Sequence, residues 1–74
     1  MTMPEDTRLL LRRALAGENL DVDGEALSLH DLTQIAIALQ PEADLAIRHA
    51  SAMTPIERAS IATAGRGRVL FFMR

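Results

Sequence analysis

The sequence predicts a small α/β fold of three helix-strand units, in the order αβαβαβ, around a three-stranded parallel sheet. Three observations carry that expectation. Thr2-Met3-Pro4-Glu5, Ser28-Leu29-His30-Asp31 and Thr54-Pro55-Ile56-Glu57 each set a hydroxyl residue three positions before a carboxylate, the order of a helix capping box. Thr2, Ser28 and Thr54 stand 26 residues apart each time, which marks an internal repeat. Each helix-forming segment is then followed by a short apolar or alternating run: "NLDVD", "DLAIRHA" and "RVLFFMR".

The elements follow in order. The first helix is expected over about residues 3–16, with Pro4 in its first turn where a missing N–H costs little, and Gly17 as its stop. Its inner face would use Leu9, Leu10, Ala14 and the stem of Arg13, although three adjacent leucines leave that face open. A strand over about 19–23 comes next. The second helix, about 29–40, starts at Ser28 with Asp31 as a short version of the usual glutamate, carries Leu29, Leu32, Ile35, Ala36 and Leu39 at helical spacing, and stops at Gln40-Pro41. A strand over about 44–49 follows. The third helix, about 55–65, has Pro55 at its first position and Gly65 as its cap, and Ala59 and Ala62 would let it approach the sheet closely. A last strand is expected over about 68–73.

Strands separated by a helix are too far apart for hairpins, so parallel pairing through right-handed crossovers is the natural arrangement. Alternation then sends Leu20, Val22, Leu45, Ile47, Val69 and Phe71 toward the helices. Asp21, Asp23, Ala46, Arg48, Leu70 and Phe72 fall on the opposite face. The units "LDVDGEALSLHDL", "LAIRHASAMTPIERASIA" and "VLFFM" resemble leucine-rich repeats of the strand-plus-helix kind, across nearly the whole chain. The asparagine usual after the strand is missing, with Gly24 and His49 near that place. The resemblance implies a short curved stack that binds proteins and does not catalyse a reaction; three repeats are about the minimum for such a stack.

Composition narrows the function classes. Seventy-four residues suit a single domain over 1–74, whose core supplies only about 3–5 kcal/mol without a staple. The absence of cysteine excludes disulfides and thiolate metal sites. A net charge of −2 gives no general attraction to nucleic acid or to an anionic membrane. The start "MTMPEDTRLLLRRALAG" has neither the basic region of a secretory signal nor a span-length apolar run, so a cytoplasmic protein with no membrane association is expected.

With Asn19 at position 1 of a calcium loop, Asp21, Asp23 and Gly24 fall correctly, but His30 stands where the closing glutamate belongs; a frame starting at Asp21 loses the glycine and also misses the last ligand. A strand, an Asp-Gly turn and a helix cap at Ser28 explain the stretch better, with a hairpin pairing "LDV" to "EAL" as a variant. His30 beside Asp31 lacks a nucleophile motif, and two histidines without cysteines make a poor zinc site, so no metal, no cofactor and no catalytic residue are expected. Arg66 and Arg68 in "GRGR" follow a helix, whereas phosphate loops precede one, and Glu5 and Asp6 blunt the stripe of Arg8, Arg12 and Arg13. The third strand is apolar on both faces, and helices on one side of the sheet cannot cover the other, so either helix one folds across it or Leu70 and Phe72 are exposed and await a partner.

The sequence therefore points to a non-catalytic interaction module without a small-molecule substrate, which self-associates or binds a protein through Asp21, Asp23, Arg48, Leu70 and Phe72. Two alternatives accompany it. An inhibitor or immunity-type protein would use the acidic loop Asp21, Asp23 and Glu25, and, less expected, a nucleic-acid accessory protein would use the arginines.

Overall fold

A computed structural model describes residues 7–74. It alternates helix and strand as expected: α1 Thr7–Leu15, β1 Leu20–Asp23, α2 Leu29–Ala38, β2 Leu45–Arg48, α3 Pro55–Ala64 and β3 Val69–Phe71. One short element was not foreseen, a 3₁₀ turn at Ala50–Ala52. The expected first cap at Thr2 and the helix start near residue 3 lie outside the described residues.

The three strands form one parallel sheet in the order β1-β2-β3. Leu20 aligns with Leu45 and Val69, and Val22 with Ile47 and Phe71, so equivalent residues of successive units stand side by side. These rows join Leu10, Ala14, Leu32, Ile35, Ala36, Leu39 and Ile61 in one apolar cluster, which puts all three helices on the same side of the sheet. The "LDV"–"EAL" hairpin does not form: the chain turns instead, with the Ala26 N–H donating to the Asp23 carbonyl.

The caps explain where two helices begin. Thr54 accepts from the Glu57 N–H at 3.1 Å while the Glu57 carboxylate accepts from the Thr54 N–H at 2.8 Å, a complete capping box with Pro55 inside it. Ser28 accepts from the Asp31 N–H at 3.1 Å, but the Asp31 carboxylate turns away and accepts from the Thr7 hydroxyl at 3.1 Å. The shorter acid thus ties α2 to the start of α1. At the far end of α2, Arg66 donates to the Leu39 carbonyl at 2.8 Å. That contact satisfies a terminal carbonyl and places a cation at the negative end of the helix dipole.

Four face assignments differ from the sequence pattern. Leu9 is 53% exposed and Arg13 is exposed, because α1 buries only Leu10 and Ala14. Leu29 lies at the start of α2 and remains 41% exposed. In α3, Ala59 is exposed and Ala62 half-buried, and Ile61 takes the inner position. A large β-branched side chain fills that space, so α3 does not need the alanine-lined approach.

Candidate partner-binding face

The side of the sheet away from the helices carries the five residues singled out from the sequence. Asp21, Ala46 and Leu70 form one row across the strands; Asp23 and Arg48 form the next, and Phe72 continues it just beyond β3. The face divides into a charged half over β1 and β2 and an apolar half at β3. Leu70 and Phe72 are each 51% exposed. Met73, the residue after Phe72, is also 48% exposed. Its position has the parity of the buried Val69, but it lies past the end of β3, where burial no longer follows alternation.

The charged half is internally paired. The Arg48 guanidinium Nε donates to Asp21 Oδ1 at 2.7 Å. His49 has a left-handed backbone (φ 57°) just after β2, and its Nδ1 lies 3.0 Å from Asp23 Oδ1. The same oxygen accepts from the Glu25 N–H at 2.9 Å, closing the turn after β1. That backbone N–H, and then the hydrogen bond to His49, hold the Asp23 carboxyl below its ordinary value; slight burial opposes them, and the charges of His49 and Arg48 assist. A depressed carboxyl stabilises the fold above the ordinary carboxylate range and loses that contribution as pH falls through its folded-state value. Between about pH 5 and pH 2, wild type should therefore lose more stability than Asp23→Asn. Urea unfolding followed across that range checks this, and parallel curves for the two proteins would refute it.

Asp23, Glu25 and His49 also place one potential ligand atom each within 4.8 Å of one another. Two carboxylates and an imidazole are acceptable donors for a divalent ion. Asp23 Oδ1, however, already serves two hydrogen bonds, and Glu25 is exposed. Asp21 takes no part in this group because Arg48 holds it. The cluster accounts for the turn and does not define a coordination cage.

Among the candidate arginines, Arg66 caps α2 and Arg13 pairs with Glu18 at 3.0 Å, while Arg68 joins the sheet through its backbone carbonyl, which accepts from the Leu45 N–H. Arg58, which the sequence analysis did not select, donates to the carbonyls of Met53 and Ala50 at 2.6 and 3.2 Å and holds the 3₁₀ turn against α3. Asn19, weighed above as the first position of a calcium loop, has a structural role: its Oδ1 accepts from the Asp44 N–H at 2.9 Å and links the entrances of β1 and β2.

No family model matches the chain, and no curated protein or solved structure matches it significantly. Among the described residues, no helix is long and apolar enough to cross a membrane.

Proposed function

We propose that this chain is a non-catalytic protein-interaction module that binds a protein through the apolar half of its open sheet face. The observation that carries the proposal is the pair Leu70 and Phe72, each 51% exposed on the open face of β3 and its continuation, with no strand beyond β3 among the described residues. Large apolar side chains grouped on an uncovered sheet mark association surfaces, whereas scattered ones do not. Asp21, Asp23 and Arg48 form a polar border beside that patch, an arrangement common at protein interfaces. The ion pair of Asp21 with Arg48 leaves less free negative charge for an inhibitor-type acidic loop, and the turn after β1 already engages Asp23, which favours the apolar surface over that alternative.

Phe72→Glu should preserve helix content by circular dichroism and remove binding. Phe71→Glu should destabilise the domain, because Phe71 is half-buried against the core. The check is affinity capture by tagged wild type, Phe72→Glu and the control Ile37→Glu, which alters an exposed residue of α2. The proposal fails if no protein, including the untagged chain itself, is captured by wild type and Ile37→Glu and lost with Phe72→Glu.

A further inference from the structure

The edge of β3 identifies the partner more closely. Hydrogen bonds to β2 and to the turn after it use the Arg68 carbonyl, the N–H and carbonyl of Phe72, and the Arg74 carbonyl. Those even-numbered residues therefore face inward. By strand alternation, Val69, Phe71 and Met73 direct their N–H and carbonyl groups outward from the sheet, and no described backbone group hydrogen-bonds to them. A row of unpaired groups on a partly apolar edge is a template for another strand.

We propose that this edge pairs with the same edge of a second copy of the chain, antiparallel and centred on Phe71, to make a continuous six-stranded sheet. The inference rests on the interaction-module reading and names its partner. Centring on Phe71 lets it exchange two hydrogen bonds with Phe71 of the second copy, while Val69 and Met73 exchange two more at each end. Six bonds form and every outward group from Val69 to Met73 is used. On the open face, Leu70 then opposes Phe72 of the second copy, and Phe72 opposes Leu70, so four exposed apolar side chains cover one another.

The alternatives lack this complementarity. Pairing two β1 edges would bring the acidic side chains Asp21 and Asp23 together, and the turn after β1 already uses the Asp23 carbonyl. Adding β1 of a second copy beside β3 in the register of the repeats would set Leu70 against Asp21 and Phe72 against Asp23, apolar against charged. That contact would also be head-to-tail, and would grow without closing. The twofold pairing has one opposed term, Arg68 facing Arg74 of the second copy. Both are near the surface, so salt should screen their repulsion and strengthen the dimer.

The test is sedimentation of the purified wild-type chain over a concentration series, at low and high salt, with residue-resolved amide exchange. The expected species has twice the 8.1 kDa chain mass and gains stability with salt. Exchange at the Phe71 and Met73 amides should slow as concentration rises. Met73→Pro removes an outward N–H that the single chain does not use, so it should preserve helix content and weaken the dimer at least roughly tenfold. A strictly monomeric wild type overturns the inference, and so does a mass that grows past the dimer. A dimer lost in Phe72→Glu but untouched by Met73→Pro also overturns it, and assigns association to stacked sheet faces. A monomer that still captures a different protein through Phe72 rejects the second copy as partner and leaves the interaction-module proposal standing.

Discussion

Ile47→Ala should leave the chain largely unfolded at room temperature. Ile47 is completely buried in the middle of the central strand, aligned with Val22 on one side and Phe71 on the other. Truncating a buried isoleucine to alanine costs about 2–5 kcal/mol, through lost transfer energy and the cavity left behind. A core of this size supplies about 3–5 kcal/mol, so the loss consumes most of it. Ile37→Ala provides the comparison, since the same residue type on α2 is 52% exposed. Its effect should stay within about 0.5 kcal/mol. Urea titration followed by circular dichroism measures both, and similar midpoints for the two variants would contradict the assigned core.

Gly24→Ala should also be damaging, for a different reason. The position needs no unusual backbone angle; the constraint is space. Gly24 donates to the Arg48 carbonyl at 2.7 Å, and an added Cβ would lie 2.8 Å from that same oxygen and 3.0 Å from Ile47 Cγ2. Neither obstacle is the end of a flexible chain, so β1 and β2 would have to separate at their ends, at about 1–3 kcal/mol. Gly67→Ala is the informative contrast. Gly67 has φ 82° and nothing within 4 Å of an added Cβ, so the cost there is conformational, about 1–2 kcal/mol. Asparagine tolerates a left-handed backbone better than alanine, so Gly67→Asn should recover part of the loss seen in Gly67→Ala, whereas Gly24→Asn should be at least as damaging as Gly24→Ala. Recovery by asparagine at Gly24 would show that close approach is not the cause there.

The alternation of helix and strand was legible because Ser28 and Thr54 use strong local chemistry, and because Leu20, Val22, Leu45 and Ile47 alternate cleanly with polar or small neighbours. Strand direction followed from the distance between strands in the chain; the order β1-β2-β3 did not, because parallel crossovers are compatible with other orders. The assignments that failed were those in which neighbours compete for one position. Nothing within "RLLL" says that Leu10 enters and Leu9 does not, and nothing in "RASIATA" ranks Ile61 above Ala59, since helical spacing permits either set. Asp31 misled for a different reason: its capping pattern is local, but its side chain found a tertiary partner in Thr7. On the open face, Leu70 and Phe72 were legible by parity alone. The contacts of Asp21 and Asp23 were not, because they depend on Arg48 and His49 from the next unit and on a left-handed backbone at His49.

The register of the sheet also bears on how the chain acquires its structure. Leu20 pairs with Leu45 and Leu45 with Val69, so no strand can find its neighbour without first closing a loop of more than twenty residues. The entropy of that closure must be lost before any pairing compensates for it, unless the intervening helix has already shortened the path. Formation of α2 and α3 should therefore precede docking of the strands. Since β2 is, among the described residues, the one strand with neighbours on both sides, refolding should pass through the middle unit, with the outer units joining it as separate events or frayed ends.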